Sequence, residues 1–217
     1  MIRIIIIGAG GHAAEIDEYI AYANKLNGIQ DYIVAGFIDD NKNSYDAYSF
    51  SGPFLGDIQS HVVDKDAKYI MGIANLAFRK KITEDFLERG ASFLTFIHPL
   101  AYVSQSAKIG DGVVMGPYVN VGPNVVIGNY TLINSRASMG HDTKVGDYNF
   151  ISPNVCFSGF TTIGDGNLFG INSASIPKVT IGNGNKIAAG MIIDRDIEDD
   201  TTYFHRFKEK VLAIPKT

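Results

Sequence analysis

The chain has 217 residues, 19 basic and 23 acidic, with a formal charge of −4, which argues against a nucleic-acid partner bound by phosphate neutralisation. The single cysteine, Cys156, excludes a disulfide framework and a multi-cysteine zinc site, and no metal is expected. No apolar run approaches the ~20 residues of a membrane span, and the isoleucines at 4–7 are too few for a signal peptide, so a cytoplasmic location is expected.

Residues 1–97 read as a small α/β domain with a parallel, Rossmann-like sheet. A buried strand over 3–7 runs into the turn Gly8-Ala9-Gly10-Gly11-His12, and a helix follows over 13–24. A second strand over 33–38 ends in Asp39-Asp40, ahead of a polar, Tyr- and Ser-rich loop over 41–52. A third strand over 69–73 leads into a helix over 76–88, and 93–97 is expected as a last strand before His98-Pro99 closes the domain. About 97 residues is short for a full dinucleotide-binding domain, which has two mononucleotide halves. Gly8-x-Gly10-x-x-Ala13, after a strand and opening a helix, fits a phosphate-binding turn, where backbone N–H groups face an anion. The same glycines also fit a purely structural turn. His12 reads either as a phosphate contact or as an exposed turn histidine, and Asp39 is placed to receive a ribose or base.

Residues 98–217 read as a second domain. Between 103 and 193 only nine of 91 residues are charged. Stepping by six from Val103 to Ile193 meets sixteen positions, of which fifteen are apolar, without one insertion or deletion. Glycine follows the apolar residue nine times, and Pro117, Pro123, Pro153 and Pro177 all take the third place of the hexad. Glycine and proline at this density break a 3.6-residue period but serve a turn after every short strand. Three hexads per turn make a period of 18, visible in the Ile/Val-Gly-Asp/Asn series at 109, 127, 145, 163 and 181. The fold class is therefore a small α/β domain followed by a triangular parallel β-helix of about five coils. Asn149, Asn167 and Asn185 are 18 apart at the fifth place, where stacked amides satisfy one another, and a structural asparagine ladder is expected.

His141 takes the third place of its hexad, a turn position whose side chain points outward. One coil onward the same column holds Gly159, leaving space beside the imidazole, and Asp142 adjoins it to orient the ring. Such a histidine suits a general base, or is an inert surface residue. Cys156 is at the sixth place, away from this column, and is not expected to be a nucleophile. The acidic run 194–200 reads as a solvated end of the solenoid, and 205–210 as a short basic helix.

The hexad series resembles the left-handed β-helix acyltransferases. Together with IleIleGlyAlaGlyGlyHis at 6–12, PheIleAspAsp at 37–40 and GlyIleAlaAsn at 72–75, it is similar to bacterial sugar acetyltransferases of the PglD/NeuD type. The left hand of the helix is implied by that resemblance, since right-handed crossovers are the general expectation. The resemblance implies an acetyl-CoA-dependent N-acetyltransferase acting on a nucleotide-linked amino sugar, with a UDP-4-amino sugar first among acceptors. It also implies a homotrimer with the coenzyme between neighbouring β-helices. His141 matches the family's base and Asp142 its acidic partner. Gly159, Ile171, Ala188, Ala189 and Gly190 match coenzyme contacts. Gly10, Gly11 and His12 match the turn at the sugar-nucleotide phosphates, and Asp39 and Asp40 the base-recognition end. Asn75 and Arg79, on the loop after the third strand, are further expected substrate contacts. Sugar or sialic acid O-acetylation is an alternative, as is a nucleotide-sugar-binding scaffold without catalysis. Two departures stand out: Phe150 replaces a second histidine nine residues after the first, and 204–215 replaces the family's usual C-terminal ending.

Overall fold

The computed structural model describes residues 1–28 and 30–205. The basic helix expected over 205–210 lies, from 206 onward, outside the described residues.

The first domain is a three-stranded parallel sheet in the order β2-β1-β3, with β1 over Ile2–Ile7, β2 over Tyr32–Ile38 and β3 over Ala67–Met71. Helix α1 spans Gly11–Asn27, and a short helix α2 (Lys42–Asp46), capped by Asn41, forms inside the loop read as irregular. Helix α3 covers Leu76–Glu88, with the expected bounds. β1 is buried on both faces of the sheet, which explains its unbroken isoleucines.

Residues 93–97 depart from the expectation. Phe93 makes one bridge to Tyr69 beside β3, whereas Phe96–Ile97 pairs with Val114–Met115 and belongs to the second domain. The hexad thus extends back one step to Ile97, with His98 in the place usually held by glycine. His98 is buried there, flanked by the rings of Tyr19 and Tyr22 at 5.2 and 5.1 Å.

The second domain is a parallel β-helix of about six turns, one more than expected. Its first face has seven two-residue strands from Phe96–Ile97 to Thr202–Tyr203. The second has six, from Tyr102–Val103 to Ile192–Ile193, and the third has five, from Lys108–Ile109 to Thr180–Ile181. Pairing is in register at 18 residues until the last turn, where Ile181 bridges Ile197 and Lys186 pairs with Thr202, a spacing of 16.

The chemistry of the hexad follows its geometry. First-place residues point inward and form the core from Met115 to Ile193. Fourth-place residues adopt the left-handed backbone region, among them Tyr118, Tyr130, Asp142, Tyr148 and Phe160 with φ between 54° and 62°. The expected ladder is present: Asn167 N donates to Asn149 Oδ1 (2.9 Å) and Asn185 N to Asn167 Oδ1 (2.8 Å). Thr131 and Thr201 extend it at either end. A second ladder runs outside, at the vertex between the third and first faces. There Asn129, Asp147, Asp165, Asn183 and Asp199 each accept the N–H of the residue one coil before, at 2.6–2.9 Å. Each acceptor lies over the glycine of the preceding coil. A Cβ on Gly146 would come within 2.8 Å of the Gly164 backbone, so the second-place glycine is required by close approach.

The α/β domain sits on the first face. Outward-pointing Phe96, Val114 and Leu132 share a buried cluster with Ile4, Ile6, Ile16 and Ile20, and Phe150 packs at its edge. Because the prism is triangular, the vertex between the second and third faces is opposite the face that carries this domain.

Candidate functional site

The turn between β1 and α1 is built by two constraints. Gly8 has φ +105°, and a Cβ there would meet Ile73 at 2.8 Å, so only glycine fits. Gly10 is the N-cap of α1 with no side-chain cap, and a Cβ on it would meet nothing within 4 Å. Gly11 faces Tyr48, whose hydroxyl is 3.0 Å from its virtual Cβ. A cavity of about 390 Å³ opens there, lined by Gly11, His12, Ala14, Glu15, Glu18 and Tyr48. His12 places Nδ1 3.2 Å from Glu15 Oε2, and its ring lies 6.4 Å from that of Phe150. Its buried Nε2 has no partner among the described residues.

The two acids after β2 serve the chain's own backbone. Asp39 accepts from Ala9 N (2.7 Å) and Asn41 N (2.8 Å), tying the glycine turn to the end of β2, and Asp40 accepts from Ile58 N (2.9 Å). Asn75 caps α3 by accepting from Ala77 N at 2.9 Å.

Arg79 requires a correction. It lies inside α3, is only 2% exposed, and donates to Ile73 O (3.0 Å) and Tyr130 O (3.2 Å). It ties the two domains together and has no face toward a substrate. Burial lowers its guanidinium to about 10, which leaves it charged at neutral pH.

The vertex between the second and third faces carries the other group of residues. His141 is 57% exposed on its side chain and bonds through Nδ1 to Asp142 Oδ2 at 2.8 Å. With the Nδ1 proton on that bond, Nε2 carries the lone pair. Asp142 Oδ1 accepts from Asn124 Nδ2 at 3.1 Å. The hydrogen bonds from His141 and Asn124 hold the Asp142 carboxyl below the usual 3.8. Sequence reading missed Asn124, although its signal was present: it stands one coil before Asp142 in the same column. Gly159 is in contact with the histidine as its spacing suggested. A Cβ there would fall 2.8 Å from His141 Cε1 and Nε2, so glycine keeps the basic nitrogen accessible. Phe160 meets the imidazole edge-on, with centroids 5.1 Å apart at 89°.

Ile171 and residues 188–190 lie at a different vertex, between the first and second faces. The column there joins them directly: Gly190 N donates to Ile171 O at 2.8 Å, and a Cβ on Gly170 would strike Ala189 N at 2.5 Å. The expected residues thus fall in three places on one chain: the glycine turn by the first face, the coenzyme column at one vertex, and His141 at the vertex opposite the turn.

Residues 3–86 match the family model of the PglD N-terminal domain. This first domain is of the PglD type. A curated relative, the UDP-N-acetylbacillosamine N-acetyltransferase of Bacillus subtilis (strain 168), is 30% identical over 117 residues, 53% of this chain and 51% of the relative. The match therefore spans about half the length of that relative. Among solved structures, the acetyltransferase domain of PglB from Neisseria gonorrhoeae FA1090, in complex with acetyl coenzyme A, superposes with a TM-score of 0.80. It is 29% identical, and the match covers 92% of this chain and 94% of that one. PerB from Caulobacter crescentus, in complex with CoA and GDP-perosamine, is 26% identical with a TM-score of 0.76, covering 92% of each chain. The resemblance to PglD-type sugar N-acetyltransferases therefore extends over both domains, and the architecture is that of their left-handed β-helix fold. Among the described residues no group of three or more His, Cys, Asp or Glu is placed to hold a metal ion, and no helix is long and apolar enough to cross a membrane.

Proposed function

We propose that the protein is an acetyl-CoA-dependent N-acetyltransferase acting on the amino group of a nucleotide-linked amino sugar, a UDP-4-amino sugar first. The observation that carries this reading is the His141–Asp142 pair, with Nε2 left accessible by Gly159 on an exposed vertex. In the reaction the sugar amine attacks the thioester carbonyl while His141 Nε2 takes its proton. The C–N bond forms and the C–S bond breaks. The imidazolium, its charge balanced by Asp142, returns the proton to the leaving thiolate. A positioned general base contributes about 10²–10⁴-fold, and Gly159 N–H is the proposed donor to the carbonyl oxygen. Gly10, Gly11 and His12 receive the diphosphate at the start of α1.

The working unit of this proposal is a homotrimer. The glycine turn packs by the first face and His141 is at the opposite vertex. A side of six residues spans at most ~20 Å, and the whole prism stands between them, so a sugar held at one chain's turn is served by another chain's histidine. Exposed Tyr102, Tyr118, Ile171, Ile176 and Ile192 on the second face and its edges supply an unpartnered apolar surface for that contact. Phe150 stands where the resembling family has a second histidine, and its packing against the first domain accounts for an apolar residue at that position.

The test is a panel of UDP-, GDP- and dTDP-linked amino sugars with acetyl-CoA, followed by thiol release. Transfer to at least one is expected, and His141→Ala should lower turnover at least ~100-fold. Acetylation of free sialic acid alone, or near-full activity in the variant, overturns the proposal.

A further inference from the structure

We infer that Phe160 is a positioning residue that holds the His141 imidazole in its working orientation, an inference that rests on the reading of His141 as the base. The torsion that turns a histidine ring is broad and roughly two-fold. One hydrogen bond at Nδ1, on a side chain this exposed, therefore leaves the direction of Nε2 loosely set. Two further groups touch the ring. Gly159 supplies bare backbone beside Cε1 and Nε2, and the Phe160 ring stands perpendicular to the imidazole at 5.1 Å. The three contacts together limit swing about the ring axis.

Phe160 takes the fourth place of its hexad, where the backbone is left-handed from 112 to 190 whether the residue is glycine or not. It has φ +62°, in the left-handed region where a side chain is strained. Glycine occupies the equivalent fourth place at 112, 166, 184 and 190, each with positive φ. Tyr130 and Tyr148 sit in the same register, but they stack on each other at 5.2 Å and meet Phe93 and Lys80 of the first domain. Phe160 is half exposed, and His141 is the ring it meets among the described residues. Tyr118 shares that backbone and exposure, and what sets Phe160 apart is its edge-on contact with the imidazole.

The position allows stability and activity to be separated. Phe160→Gly relieves the backbone and should leave the melting temperature unchanged or raise it, while kcat falls about 10-fold and KM for both substrates stays within about 2-fold. Phe160→Tyr, which restores a ring, should return kcat to within about 2-fold of the parent. Carbon-13 relaxation of the His141 ring in the free protein should show greater ring mobility in Phe160→Gly and parent-like order in Phe160→Tyr. An unchanged kcat, a rise in KM alone, a fall in melting temperature matching the loss of activity, or unchanged ring mobility would each overturn the inference. A parent protein inactive on every acceptor, with the mobility change present, would instead remove the acetyltransferase reading and leave the positioning contact standing.

Discussion

At the scale of single residues, the site is a chain of three polar groups, Asn124, Asp142 and His141, rather than a lone histidine. Each hydrogen bond to a carboxylate favours its charged form. Asp142 has its folded-state value lowered, so its interaction with His141 is complete above 3.8 and is lost as pH falls through the lower folded value. Asn124→Ala removes one of the two lowering bonds. The Asp142 carboxyl should then titrate closer to 3.8, readable from its side-chain carbon shift, and kcat should fall by less than ten-fold, far short of the His141→Ala loss. A titration unchanged by the substitution would show that Asn124 does not bear on the carboxylate. The outward aim of His141 and the room left by Gly159 were legible in the hexad register because side-chain direction in a coil depends only on place. The role of Arg79 was not legible: a polar residue on an amphipathic helix looks the same in sequence whether it faces solvent or one carbonyl from each of two docked domains.

At the scale of elements, the coils are held by two ladders with different chemistry. The inner one is buried, and every rung is both donor and acceptor. Asn167 accepts from Asn185 N and donates through Nδ2 to Asn149 Oδ1 (3.0 Å) and Gly164 O (3.1 Å). Asn167→Ala leaves a buried N–H without its acceptor, at about 1–3 kcal/mol, and a lowered unfolding midpoint is expected. Asn167→Thr should recover part of the loss, because Thr131 already accepts the N–H of Asn149 in the same column at 3.2 Å. Equal midpoints for the two variants would count against the ladder as the source of that stability. The 18-residue spacing disclosed this ladder in the sequence. The outer ladder is equally periodic, but its period alone does not reveal it, because Asp and Asn suit turns with or without a cross-coil partner. Phe96–Ile97 was misplaced for a related reason: a short apolar pair reads alike in a sheet and in a coil, and only pairing with Val114–Met115 distinguishes them.

At the scale of the whole molecule, the first domain and His141 occupy opposite sides of the prism, and in the proposed trimer the active site is completed only between chains. This has a direct consequence in mixed oligomers. Gly10→Asp adds a carboxylate where a Cβ has open space, so the fold should hold while phosphate binding is repelled. Gly10→Asp and His141→Ala should each be nearly inactive alone. Randomly mixed trimers of the two should regain about a quarter of the parent activity, since a site then pairs one intact turn with one intact base. No recovery, with mixed trimers confirmed by mass, would place both halves of the site on one chain.

The solenoid, its inner ladder, the α/β domain and the outward histidine are all written in local rules of period or turn chemistry repeated along the chain. Which face of the prism the first domain covers emerges from the packing of the two domains, and with it the meaning of several residues. Phe150 became packing, Arg79 became a tie between domains, and His141 was set on the far side from the glycine turn. Docking of one domain on another depends on surface complementarity summed over distant residues, and no local period encodes it.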